Sequence, residues 1–276
     1  MQTGRYGEEF RLTLITIDAV LAAQADAAGV DLIGVDIERL NKASRQGHIP
    51  NARISDHELA HLASLAPVVR QATLFARLNP LHHGSQREVE AALAGAARVL
   101  MLPFFTGAAE VEEFARLVDG RAKIVLLLET ATAIVRLHDI VAVPGIDEVM
   151  VGLNDLHLSM GLANQFELVT SDLMTMVSDH VRARGLRFGF GGLARANDDS
   201  LPVPSDLMLA QHARLGSTSA WLSRSFFGPA PASIDLGVEV ARLRERLSFW
   251  AGQPPSELHG QREALRRHLR SLAPIT

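Results

Sequence analysis

The chain has no cysteine. That rules out disulfides and thiolate metal sites, and it is compatible with a reducing compartment. Aromatic residues are only 5% of the total, with one tyrosine and two tryptophans, which argues against a surface that binds by stacking bases. There is no basic run, and a net charge of −4 is spread with both signs along the chain. Nucleic acid and anionic membrane are therefore poor partners. No window reaches the roughly 20 uncharged apolar residues that span a bilayer. The opening MQTGRYGEEF has early acids and lacks the apolar stretch of a secretion signal. The expectation from these absences is a cytoplasmic protein.

What is present is apolar and periodic. The 276 residues are 47% hydrophobic, enough for one large core. Strand-like runs alternate with helical stretches: 11–17, 30–38, 72–80, 98–105, 122–130, 146–155, 186–195 and 217–227. Asp18 is placed to cap the alanine-rich helix that follows the first run, and Gly29 to end it. Near-continuous apolar strands interleaved with helices imply a parallel sheet covered by helices. Eight such units point to a closed (β/α)8 TIM barrel, one domain over 1–276. An open dinucleotide-binding sheet fits less well, because GFGGLA at 189–194 is followed by polar RANDDSLPVP rather than by a helix. The tail, 229–276, reads as one barrel helix and one extra helix split by QPP at 253–255. The extra amphipathic helix needs an apolar surface, expected on a neighbouring subunit.

In such a barrel, chemistry gathers at the C-terminal ends of the strands. Those ends carry Asp36 and Glu38, Arg77 and Asn79 followed by His82 and His83, Pro103, Glu129 and Thr130, then Asn154 and Asp155. Glu129 and Asp155 follow two strongly apolar strands expected to be neighbours. Two carboxylates brought together in a partly dry site repel one another, and a hard divalent cation resolves the conflict while leaving positions for substrate oxygens. Capping of the following helices is the competing role for either acid. Arg77 offers a guanidinium fork for a substrate carboxylate, with a salt bridge to Glu129 or Asp36 as the alternative. The turn Gly152–Leu153–Asn154–Asp155 can present backbone N–H groups to the same carboxylate. HELAH at 57–61 matches a zinc-hydrolase pattern, but its expected place is an outer helix, away from the strand ends. Met174, Met176, Leu207 and Met208 read as helix core, and GFGGLAR at 189–195 as a tight turn or a phosphate loop.

The stretch IVLLLETATAIVRLHDIVAVPGIDEVMVGLNDLHLSMG resembles the core signature of the HpcH/HpaI aldolase and citrate lyase β-subunit family. AAGVDLIGVDIE, ARLNP and GAARVLMLPFFTGAAEVEEF resemble its second, third and fourth strands, so the likeness covers roughly 11–228. The resemblance implies a pyruvate/phosphoenolpyruvate-type barrel with Mg²⁺ or Mn²⁺ on Glu129 and Asp155. It implies a 2-oxo acid such as pyruvate or oxaloacetate, contacted by Arg77, and a metal-stabilised enolate formed as a C–C bond is made or broken. Glu38, Pro103, Gly152 and Asn154 are expected to line the substrate. The chain departs from the aldolase branch in carrying Arg39 where a histidine follows D-x-E. Lys42 and Arg45 echo basic residues of the lyase branch, and His48, His82 and His83 stand as candidate bases. LPFF lacks the lysine often found after that proline in the lyase branch, which weakens a CoA-ester reading. Three activities stay open: an aldolase-type carbon–carbon lyase, a citrate-synthase-like condensing enzyme or CoA-ester lyase or thioesterase, and a non-catalytic subunit that binds metal and oxo acid. The expected assembly is a homo-oligomer, a trimer or hexamer.

Overall fold

The computed structural model describes residues 5–40, 55–196, 198, 200–228 and 234–272. Eight parallel strands close into a barrel in sequence order: β1 (Arg11–Ile15), β2 (Leu32–Asp36), β3 (Thr73–Arg77), β4 (Val99–Pro103), β5 (Lys123–Leu128), β6 (Glu148–Val151), β7 (Arg187–Leu193) and β8 (Ser219–Leu222). β8 returns to β1 with Leu12 opposite Ala220. Each of the eight apolar runs contains one of these strands.

Alternation along the strands splits the apolar residues into two cores. One lies inside the barrel, where Leu32, Phe75, Val99, Met101, Val125, Leu127 and Met150 meet Ile15 and Trp221. The larger lies between the sheet and its helices. Strands buried on both faces, such as β2 and β4, therefore need apolar residues at odd and even positions alike. Asp18 caps Ala19–Ala27 by accepting from the N–H groups of Val20 and Leu21, and Gly29 takes φ +82° just beyond the helix.

Residues 166–185 form two helices, Phe166–Thr170 and Asp172–Ala183, because Ser171 turns extended and its Oγ accepts from Met174 N at 3.1 Å. Three local expectations change. Residues Arg224–Phe227 form a helical turn rather than the end of β8. Met176 is 41% exposed, so it is not core. The last helix, Pro255–Ser271, packs on its own barrel against Ser205–Arg214 and Phe166–Thr170. There Leu265 is fully buried, and Arg262 and Arg266 each donate to Thr170 O at 2.7 Å. The apolar surface it needed is supplied by its own chain.

One buried histidine makes stability depend on pH. His212 stacks on Phe190 with ring centroids 3.9 Å apart and meets the edge of Phe10. Ser217 Oγ donates to Ser219 O, so His212 Nδ1 is the donor to Ser217 Oγ at 2.9 Å and the ring is neutral. Burial pushes its pKa down to about 3. The unfolded chain therefore binds more protons between pH 6.5 and 3, and stability falls as pH drops through that window. Wild type should lose about 2 kcal/mol between pH 6.5 and 5 from this group. Urea unfolding at the two pH values should show that loss, and His212→Gln should remove it.

Candidate active site

The C-terminal ends of β2, β3, β5 and β6 bring one arginine and four acids together. Asp36 ends β2 and Glu38 follows two residues on, both buried. Arg77 ends β3 and lies opposite Asp36 in register. Its Nε and Nη2 donate to the two oxygens of Asp36 at 2.8 and 2.6 Å, and Nη1 stands 3.6 Å from Glu38 Oε2. The guanidinium carbon lies 5.4 Å from the Trp221 ring centroid, an arginine–aromatic contact. Burial works against the Arg77 charge, but Asp36, Glu38 and Glu129 outweigh it and raise its pKa above the ordinary value. The salt bridge to Asp36 weighed in the sequence is thus formed, and it leaves Nη1 on the side of Glu38.

Glu129 follows β5 and Asp155 sits in the first turn of the helix Leu153–Ser159, which opens directly after β6. Carboxylate oxygens of Glu38, Glu129 and Asp155 all lie within 4.8 Å of one another, and all three residues are buried. Three carboxylates this close repel one another unless a cation stands among them, and oxygen donors at this spacing match what a hard divalent cation requires. The residues present therefore fit the metal that the sequence implied, with Glu38 as a third donor. Its place was legible in D-x-E, since residues two apart in extended chain face the same side. Trp221 under Arg77 was not foreseen, because only ring closure brings β8 across from β3.

Several backbone features hold Glu129. Phe104, just past Pro103 of β4, has φ +52° and donates its N–H to Glu129 Oε1 at 3.1 Å. That left-handed conformation is uncommon for a bulky residue, and such strain concentrates at functional positions. Thr130 caps Ala131–Val135, accepting from Ala133 N at 3.1 Å and donating to Phe105 O at 3.0 Å. Ser159 Oγ accepts from Ala131 N at 2.9 Å and so ties the β5 and β6 loops together. Gly152 has no room for a side chain: a Cβ there would lie 2.6 Å from Glu129 Oε2. Gly152→Ala should displace that carboxylate. The expected loss is roughly 10- to 100-fold in magnesium affinity, as for other disturbed supports of a ligand, read by calorimetry with the fold intact by circular dichroism.

The remaining sequence candidates fall as follows. Asn154 is exposed beside Asp155. Asn79 pins the chain after β2, its Oδ1 accepting from the N–H groups of Arg39 and Leu40 and its Nδ2 donating to Glu88 at 2.7 Å. His82 is held in the same loop: Nδ1 accepts from Gly84 N at 2.8 Å, so Nε2 is the donor to Glu88 Oε1 at 3.1 Å. His83 is exposed. His48, Lys42 and Arg45 lie outside the described residues. Arg39 is exposed and reaches the carbonyls of Ser55 and His57, each at 3.0 Å. GFGGLAR is the end of β7 with a bulge between Gly189 and Gly192, where Gly191 takes φ +55°.

HELAH needs correcting. His57 and Glu58 are not on an outer helix, since Glu58 is extended and only Leu59–His61 forms a 3-10 turn ahead of Leu62–Leu65. His57 instead reaches the strand ends, where its Nδ1 accepts from Asp36 N at 3.3 Å. Burial, with help from Arg39 and His61, lowers its pKa against the pull of Asp36 and Asp56. A neutral ring with Nδ1 as acceptor agrees with that hydrogen bond. A cavity of about 240 Å³ opens beside it, lined by Ile37, Arg39, His57, Glu58, Leu59 and Asn79.

A (β/α)8 barrel with clustered carboxylates and an arginine at its strand ends defines a candidate metal-dependent enzyme. The family model of HpcH/HpaI aldolase/citrate lyase matches residues 14–200, and the chain belongs to that family of aldolases and lyases. None of the curated proteins searched matches the chain. Among solved structures, an HpcH/HpaI aldolase/citrate lyase family protein from Burkholderia cenocepacia J2315 is 17% identical, with 98% of each chain covered and a TM-score of 0.59. An HpcH/HpaI aldolase from Desulfitobacterium hafniense DCB-2 is 16% identical, covering 80% of this chain and 90% of its own, with a TM-score of 0.61. A citrate lyase beta subunit from M. tuberculosis, complexed with oxaloacetate and magnesium, is 18% identical over 88% of this chain and 99% of its own, with a TM-score of 0.60. At these identities the structures share the fold. No helix of the described residues is long and apolar enough to cross a membrane.

Proposed function

We propose that the chain is a divalent-metal-dependent carbon–carbon lyase that makes or breaks a C–C bond next to the keto group of a 2-oxo acid, pyruvate or oxaloacetate. The observation that carries this reading is the convergence of Glu38, Glu129 and Asp155 beside Arg77 at the strand ends. The oxaloacetate and magnesium bound by the M. tuberculosis relative support the choice of ligands. Glu38, Glu129 and Asp155 would hold Mg²⁺ or Mn²⁺, which when bound supplies positive charge beside the keto oxygen, where negative charge develops as the bond breaks. Arg77 binds the oxo acid. Its two bonds to Asp36 fix the plane of the fork, so orientation is set before substrate arrives. Asn154, in the first turn of the helix after β6, faces the substrate carboxylate through its N–H, Gly152 lines the same side with its own N–H held by Leu128 O at 3.0 Å, and Pro103 closes the β4 side. Burial of the acids keeps bulk water away and strengthens each charge interaction. The proton step falls to His48 or His83, because both ring nitrogens of His82 are engaged. The protein works as a homo-oligomer in the cytoplasm.

The test is exchange of pyruvate methyl protons in D₂O, followed by NMR with and without Mg²⁺ or Mn²⁺. Metal-dependent exchange is expected. If exchange is absent, metal-dependent decarboxylation of oxaloacetate is the second trial, and silence in both would overturn the reading. A non-catalytic oxo-acid-binding subunit would then be favoured, in line with the outward course of Arg39. Turnover of thioesters alone would favour the CoA-ester lyase.

A further inference from the structure

The opposite mouth of the barrel holds a second charged cavity. It measures about 380 Å³ and is lined by Glu9, Arg11, Lys123, Asp147, Gly185, Leu186, Arg187 and Thr218. These residues open or precede β1, β5, β6, β7 and β8, so the cavity lies at the N-terminal face, away from the carboxylates of the candidate active site. In barrels of this kind that face ordinarily serves stability and is closed by packed side chains. Here it is open, and its lining is mostly ionisable.

Among the described residues, the ion pairs around it leave two cations, Lys123 and Arg187, against one acid, Asp147. Arg11 Nη1 bonds Glu148 Oε2 at 2.5 Å, and Glu148 Oε1 accepts from Ser219 Oγ, so both oxygens of this fully buried acid are committed. Glu9 pairs with Arg5 at 3.5 Å, and Asp31 with Arg244 at 2.9 Å. Asp147 Oδ2 accepts from Ile124 N at 2.8 Å. Among the described residues, Arg187 reaches only carbonyl oxygens, Thr218 O at 3.2 Å and Glu9 O at 3.5 Å. Lys123, exposed at the start of β5, makes no ion pair among the described residues. Burial and the neighbouring Arg11 lower the pKa of Arg187 in spite of Glu148, Asp31 and Glu9. Its positive charge is thus under-compensated, half sunk in a cavity where an incoming anion would relieve it.

We propose that this mouth is a binding site for a small oxyanion carrying carboxylate or phosphate groups, held by the Arg187 guanidinium and the Lys123 ammonium. A planar fork beside a mobile point charge suits either chemistry. Asp147 on the same rim limits the site to ligands that bring their negative charge to the Arg187 side. The cavity is several times larger than one phosphate, so a dicarboxylate also fits. Because β5 and β6 lead upward to Glu129 and Asp155, an occupant here touches the lower ends of the two strands that carry the candidate metal site.

The test is calorimetric titration of the metal-free protein with inorganic phosphate and, separately, with succinate. Saturable binding of at least one probe is expected, and which one binds separates phosphate from carboxylate ligands. Arg187→Gln should weaken it about tenfold. Lys123→Glu, at an exposed position that leaves the fold alone, should abolish it. Asp155→Asn should leave it unchanged, which keeps this result separate from the proposed active site. Two results would overturn the proposal: neither probe saturates, or binding is unchanged in both Lys123→Glu and Arg187→Gln.

Discussion

Asp155→Asn should abolish magnesium-dependent turnover and weaken magnesium binding by at least about 100-fold, beyond the 10- to 100-fold typical of outer supports. The side chain is buried in the first turn of its helix, and a ligand oxygen lies within 4.8 Å of those of Glu38 and Glu129. Asparagine keeps the shape and removes the charge that a hard cation needs. A ligand that binds the folded state alone raises stability by about 2.7 kcal/mol at a hundred times its dissociation constant. Thermal unfolding of the wild type should therefore shift upward with magnesium, and the variant should not respond. An equal shift in both proteins would remove Asp155 from the metal site, whatever the assay for activity shows.

Arg77→Ala should cost about 3–5 kcal/mol of stability, the usual penalty for stranding the partners of a buried ion pair. Asp36 would lose two short bonds and Glu38 its nearest guanidinium nitrogen, while Trp221 would lose the cation lying against its ring. Arg77→Lys keeps a charge but not the fork, so it should recover only part of the stability and little of the oxo-acid binding. Urea unfolding of the three proteins, at the pH used for titration with pyruvate, separates the two effects. Wild-type stability in Arg77→Ala would show that the Asp36 pair contributes nothing net. Unchanged pyruvate affinity in Arg77→Lys would show that the orientation of the guanidinium set by Asp36 plays no part in binding the oxo acid.

Much of this architecture was legible because strand–helix alternation is a local property. Each apolar run needs only its own residues to declare itself, and eight of them leave few ways to bury both faces of a parallel sheet. Glu129 and Asp155 were legible for a related reason: either acid alone could cap the next helix, but two at the ends of adjacent apolar strands need a shared partner. The His57 error has the same root. HELAH has the spacing of a helix, but the chain is not helical from Asp56 to Glu58, Glu58 is extended, and His57 turns to meet a backbone N–H of β2. Periodicity cannot register a long-range hydrogen bond of that kind. The final helix was misplaced because amphipathicity reports that a face must be covered without saying which chain covers it.

The sequence by itself determined the class of fold, the order of its strands and the acids that stand at their ends, since all three follow from spacing along the chain. Only the tertiary structure decided which of those groups meet. Closure of the barrel put Glu38 within reach of Glu129 and Asp155, turned Arg77 onto Asp36 above Trp221, and gathered Arg11, Lys123 and Arg187 around the other mouth. Those encounters depend on which strands become neighbours and in what register. A slip of one residue would turn every side chain of a strand to the other face of the sheet, so these encounters exist only once all eight strands are paired.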